Sequence, residues 1–411
     1  MTEIDFGSLV VVALAAFVVP LLLAVLPGPR IPSVVGEVVA GVALGASGLG
    51  LIDPTAGYLE FLFLFGLAFL LFLAGLEFDP APLRGTLSGG LRRAIGTPLG
   101  RALLGMALRL VVAFAITVPL WIGGLLPSPV LVAFLISSTS LGIVLSVLTE
   151  HKLLHERYGQ RLFLSAAVAD FATVLLLTIF FSADASSPGV RVALIGLLVA
   201  LSLALFWGLR TAASHGRVGA LIARLSEAPT ELRIRGSFAL LLAFAAVAGQ
   251  FGLEVILGAF VAGAIVSSLA IGREHPLYHV KIDAIGYGFF VPVFFILTGA
   301  RLDVGALVAS SQTLVLMPVL LVAVFLVKGV PALLYRDEFA WRDCAAAGAL
   351  QSAQMTLTVA GVEIGRQLEI IDEALGAALI GVALLSVLIA PIAFSRLHGD
   401  LSEPSGDRGA R

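Results

Sequence analysis

The sequence predicts an all-α polytopic membrane protein with thirteen transmembrane helices, its N-terminus outside and its C-terminus inside. Three observations carry this. Of the 411 residues 59% are hydrophobic and only 13% charged, whereas a soluble domain carries roughly 25% charge. The apolar residues gather into runs near the ~20 residues that a helix needs to cross hydrocarbon. The cations between those runs alternate between many and few, as the preference of Lys and Arg for the cytoplasmic side requires.

In chain order the predicted spans are 9–26, 31–49, 58–76, 102–122, 130–148, 162–181, 190–208, 237–251, 255–270, 285–298, 313–334, 345–364 and 374–394. The first follows only the acidic pentapeptide MTEID, with no basic segment or small-residue cleavage site, and reads as a retained span. Spans eight to ten are shorter and closely joined. With the N-terminus outside, the inside segments hold 20 of the 25 Lys and Arg, the outside segments together with the outer edge of span seven hold Arg191, Arg301 and Arg366, and two lie deeper within spans. Adding or removing one span would destroy that alternation. The residues from 396 to 411 read as a disordered cytoplasmic tail. Cys344 is the lone cysteine, so no intrachain disulfide can form. The net charge of −2 gives no reason to expect nucleic acid.

Spans one to six and eight to thirteen form two units separated by an odd number of crossings, so the second is inverted relative to the first, a pattern typical of transporters. The fifth span of each unit is interrupted by polar residues. Span five contains Ser137, Ser138, Thr139 and Ser140; span twelve contains Gln351, Ser352, Ala353, Gln354, Met355 and Thr356. Such groups at bilayer depth either bond back to their own helix or line a cavity beside unwound backbone. Their matched positions in two inverted halves favour the second reading, two discontinuous helices crossing at a midplane ion site.

Asp170 is the only charge in the run from Leu162 to Phe181. An ionised carboxylate at mid-membrane costs roughly 2.5–3.5 kcal/mol on insertion scales, which marks it as a candidate ion or proton site. Lys328 lies on span eleven, just before the second interruption, and the inverted repeat would bring it toward Asp170 as a charge partner. Ser138, Thr139, Gln351 and Gln354 are the candidate lining residues, with Asp170 and Thr139 as ligands of a monovalent cation. Glu37 and Glu77 read as structural carboxylates near span ends, Glu254 and Glu363 as solvated ends, and Arg109 as a snorkelling or helix-end partner.

The segments IPSVVGEVVAGVALG, LFLAGLEFDP, SSTS, GAFVAGAIVSS and GYGFFVPVFFILTGARLDV occur in this order. Together they resemble the monovalent cation:proton antiporter superfamily, in the branch of bacterial sodium/proton exchangers and Kef-type potassium efflux systems. The resemblance runs from about Ile31 to Phe394. It implies a dimerisation part within 9–76 and 237–298, a mobile core within 102–181 and 313–394, a linker helix at 190–208 and a homodimer in the inner (plasma) membrane. The family's sixth span carries two acidic residues, or a polar residue and Asp, the second being the ion carboxylate. Here the pair is Ala169 and Asp170, so only the second position matches. Lys328 resembles the basic residue that pairs with the first carboxylate in two-carboxylate relatives.

The expected function is exchange of sodium or potassium for protons by alternating access, with Asp170 as the shared carrier and no cofactor. Ion-coupled symport of an organic anion is the alternative. An embedded protease is disfavoured, because GxGD is absent and all six His fall in segments assigned to the inside.

Overall fold

The computed structural model describes residues 6–25, 32–77, 97–154, 156–181, 189–190, 192–197, 200, 230–250, 255–268 and 276–398. Most of the predicted seventh span, Glu254, the basic stretches within 78–96 and 201–229, and the tail from 399 lie outside them.

The described residues are helical, with no strands. In order they form α1 (Phe6–Val25), α2 (Ser33–Leu44), α3 (Gly57–Glu77), α4 (Pro98–Ile122), α5 (Pro129–Ser137), α6 (Leu141–Glu150), α7 (Arg157–Phe181), α8 (Thr230–Gln250) and α9 (Val255–Ser268). There follow α10 (Pro276–Ile285), a π-helical turn (Gly286–Phe290), α11 (Val291–Ala300), α12 (Val304–Ala309), α13 (Ser311–Ala332), α14 (Trp341–Gln351), α15 (Thr356–Gln367) and α16 (Glu373–His398). Nine helical segments among the described residues are long and apolar enough to cross a membrane, and α2 and α9 are shorter apolar helices.

Local sequence explains several boundaries. Thr97 and Ser128 each precede a proline at the first helical position and accept the N–H of Gly100 (3.0 Å) and Leu131 (3.4 Å), capping α4 and α5. Ser310 caps α13 without a following proline, accepting the N–H of Thr313 at 3.2 Å. The tenth predicted span, 285–298, belongs to a longer helical run from Leu277 to Ala300. Its first turns hold His279, Lys281 and Asp283, and that polarity hides the helix from a hydrophobicity reading.

The chain divides into two compact units. One comprises Met1–Leu87, Val174–Ala309 and Val359–Ala377. Within it α2 packs on α11, and α3 on α9, through bare backbone. A Cβ built on Gly41 would meet the Ile296 carbonyl oxygen at 2.0 Å, and one on Gly299 would meet that of Val38 at the same distance. Gly75 against Phe260 and Gly263 against Phe72 repeat this relation at 2.1 Å. Small residues replace a hydrophobic driving force between membrane helices with close contact. Phe65, Phe69, Phe238 and Phe290 fill the adjoining space, with Phe65 and Phe290 at 4.8 Å between centroids.

The other unit comprises Ser88–Thr173, Ser310–Thr358 and Ala378–Arg411. It contains both interruptions and the candidate ion residues. At one end Glu338 accepts ion pairs from Arg101 (2.6 Å), Arg157 (3.1 Å) and Arg161 (3.2 Å), tying the starts of α4 and α7 to the segment after α13. Helix α16 continues through Arg396 and His398, which the sequence reading gave to the tail. The His398 ring stacks on Tyr158 and Phe394 and lies 3.0 Å from Asp343.

Candidate ion site at the crossing of two interrupted helices

The polar run of span five ends one helix and starts another. Helix α5 stops at Ser137, Ser138 and Ser140 adopt extended backbone, and α6 starts at Leu141. In span twelve α14 stops at Gln351 and α15 begins at Thr356. The two interruptions touch. The Ser140 N–H donates to the Ala353 carbonyl at 2.8 Å, and the Thr139 hydroxyl donates to the Gln351 carbonyl. Backbone groups freed by the breaks thus find partners in each other, as groups shielded from water must.

A break leaves facing half-helix ends, with exposed carbonyls on one and exposed N–H groups on the other. Each end meets a charge of the opposite sign. Lys328, fully buried, donates through Nζ to the Ile136 carbonyl in the last turn of α5 and to Gln354 Oε1, both at 2.5 Å. Asp170, 8% exposed, accepts the Leu141 N–H at 3.1 Å through Oδ2, at the first residue of α6. Cations favour helix C-termini and anions N-termini, so the interruption itself positions both charges. The other Asp170 oxygen, Oδ1, is buried without a hydrogen-bond partner.

Lys328 and Asp170 therefore do not form the ion pair expected from the sequence. The physical reason is the polarity of the break, which draws the ammonium to the carbonyl end and the carboxylate to the amide end. The cation that acts on Asp170 is Arg109 of α4, within Coulombic range and fully buried. Its Nη2 donates to Gln351 Oε1 and to Ser165 Oγ, the latter at 3.2 Å, while Nε and Nη1 have no partner. Ser165 also donates to Gln351 Oε1 at 2.9 Å. Arg109 is no snorkelling side chain. The missed signal is its position in α4, eleven residues from the helix start and too deep to reach an end.

The predicted lining residues separate into different roles. Thr139 spans the two breaks. Gln351 is gripped by Arg109 and Ser165, and the Gln354 side chain accepts from Lys328 while its N–H donates to Ser386 Oγ at 3.2 Å. Ser138 donates back to Leu135 O at 2.8 Å, the self-bonding arrangement. Among the described residues there is no group of three His, Cys, Asp or Glu that would hold a multivalent metal. In the other unit Glu37, expected as a structural carboxylate, is buried with Oε2 unpartnered. Glu363 accepts from Gln367 at 3.1 Å, lies 3.8 Å from Arg301 and lines a cavity of about 650 Å³.

The family described as "sodium/hydrogen exchanger, transmembrane" matches residues 13–398. The chain belongs to this family. As a sodium/hydrogen exchanger family member it is 30% identical to the Bacillus subtilis protein YjbQ, a candidate Na(+)/H(+) antiporter, over 98% of this chain. It spans 65% of that relative's length. It is 28% identical to the Na(+)/H(+) antiporter of Enterococcus hirae, over 88% of this chain and 90% of that one. Among solved structures, the sodium proton antiporter MjNhaP1 of Methanocaldococcus jannaschii superposes with a TM-score of 0.60 at 16% identity. That match covers 96% of this chain and 97% of the other, so the exchanger family member shares that fold.

Proposed function

We propose that this chain is a secondary antiporter that exchanges one monovalent cation for one proton by alternating access, with Asp170 as the shared carrier. The observation that carries the reading is the state of that carboxylate: one oxygen is fixed by the first N–H of α6, and the other is buried and uncommitted at the crossing of two broken helices. A hard alkali cation prefers oxygen ligands. Thr139 and carbonyls of the breaks complete its shell, with Gln351 and Gln354 supporting them. Competition between proton and cation for one carboxylate couples the two fluxes without a second gate. Because Lys328 is committed to Ile136 and Gln354, it serves here as a fixed charge of the scaffold, which favours electrically neutral exchange.

The same reading assigns thirteen spans in two inverted repeats, an outside N-terminus, a homodimer and residence in the plasma (inner) membrane. The dimerisation part lies within 9–76 and 237–298, the core within 102–181 and 313–394, and the linker at 190–208. The paired interruptions in corresponding spans support the inverted repeat. A second reading, ion-coupled symport of an organic anion, takes its support from the two unpartnered guanidinium nitrogens of Arg109, Nε and Nη1.

The test is cation-induced dequenching of a pH dye in proteoliposomes with sodium, potassium or lithium, with and without an imposed voltage. Asp170→Asn should abolish exchange, and voltage should not drive it. Full exchange in Asp170→Asn would remove the carrier, and voltage-driven exchange would remove neutrality. Uptake of a labelled carboxylate in the absence of antiport would favour the second reading.

A further inference from the structure

We propose that Thr173 supplies a side-chain oxygen to the monovalent alkali cation held by Asp170, and thereby helps to set which cation is carried. The inference rests on Asp170 being the carrier. Thr173 lies three residues beyond Asp170 on α7, and residues three apart share a helix face with Cβ atoms about 5–6 Å apart. Its side chain is fully buried and its hydroxyl has no hydrogen-bond partner. That departs from how this fold treats buried helical hydroxyls. On the same helix Thr178 donates to the Val174 carbonyl four residues back at 2.9 Å, and Ser137, Thr298 and Ser352 make the same contact to Ala133, Phe294 and Gly348 at 2.7–2.8 Å.

Thr173 forgoes this bond, and an unmade bond of a buried hydroxyl costs about 1–3 kcal/mol. One turn away, Asp170 Oδ1 is likewise buried and uncommitted. Two such oxygens on one helical face make a pair of hard ligands suited to a single alkali ion. Thr117 and Thr358 also have unpartnered hydroxyls, but no carboxylate lies one turn away on their helices. Ala169, which takes the first position of the acidic pair, offers no side-chain oxygen, and Thr173 adds a neutral one that leaves the charge of the site unchanged.

The experiment compares Thr173→Val, which keeps the shape and removes the hydroxyl, with Thr173→Ser, which keeps the hydroxyl. The readout is the apparent KM for sodium, lithium and potassium in full-chain proteoliposomes. Thr173→Val should raise KM for the preferred cation about five-fold or more at nearly unchanged kcat, the signature of lost ion binding, and change the ratios among the three cations. Thr173→Ser should stay within about two-fold of the parent. A hydroxyl with only a structural role would lower stability or turnover for all three cations alike. Unchanged KM values and ratios in Thr173→Val overturn the proposal, and Thr173→Ala gives the same readout if the valine variant does not fold. Asp170→Asn, measured in parallel, separates the failures: exchange retained there removes the carrier reading, whereas loss there beside an unaltered Thr173→Val removes only the role of Thr173.

Discussion

Lys328 is bound to Gln354, with the ammonium 2.5 Å from the side-chain oxygen, and Asp170 lies on a different set of contacts at the start of α6. These two charges are thus held separately, each by one side of the interruption between α5 and α6.

Removing the ammonium should therefore damage the fold more than removing the carboxylate charge. Lys328→Met leaves the Ile136 carbonyl and the Gln354 side chain without their donor, at a cost on the order of 2–4 kcal/mol. Asp170→Asn keeps an oxygen that can accept the Leu141 N–H and should melt close to the parent. Thermal unfolding in detergent measures both, and the reverse ranking would show that Asp170 is the structural charge.

The grip on Gln351 should show a graded response. Ser165→Ala removes one donor and leaves Arg109 bound to Gln351, so a loss of about 0.5–1.5 kcal/mol is expected. Gln351→Ala takes away the shared acceptor of a fully buried guanidinium and should cost several-fold more, on the order of 3–5 kcal/mol. Equal stability of the two variants would mean that Arg109 finds another partner.

The backbone contacts between α2 and α11 predict sharp intolerance. Gly41→Ala places a methyl 2.0 Å from the Ile296 oxygen, and the forced separation should cost about 1–3 kcal/mol. Gly236→Ala on α8 meets nothing within 4 Å and should be neutral or slightly stabilising. Melting temperatures of the two alanine variants should therefore move apart.

The clamp around Glu338 should matter to stability and be insensitive to cation identity. Glu338→Gln weakens three ion pairs to partly exposed arginines, for an expected loss of about 1–2 kcal/mol that shrinks in high salt. Neighbouring Asp337 is held below its ordinary value of 3.8 by its hydrogen bond to Arg101. A depressed carboxylate stabilises the fold above its unfolded value and loses that contribution as pH falls through the folded one. The effect of Asp337 is therefore confined to strongly acid conditions, and a change of exchange rate near neutrality should persist in Asp337→Asn. Loss of that neutral-pH response in the variant would assign it to the clamp.

Much of this was legible in the amino-acid order. The interruptions at Ser138 to Ser140 and at Ser352 to Met355 were visible because polar residues break an otherwise apolar run, and Asp170 because a charge in such a run has no cheap explanation. The partner of Lys328 was hidden. Spacing along the chain places two helices near each other, but the choice between a carboxylate and a carbonyl end depends on half-helix polarity, which appears only with the backbone. Arg109 was discounted because a long flexible side chain often reaches water, and only packing shows that this one does not. The first turns of α10 were missed for the opposite reason, since Lys281 and Asp283 make a helical segment read as a loop.

The interruption of α5 and α6 also gives the site a direction. Exchanging the two residues, with lysine at 170 and aspartate at 328, would conserve composition and net charge, yet each side chain would then face the pole that repels it. Charge in this core is defined by where the backbone points, so the two positions are not interchangeable even though the total is unaltered.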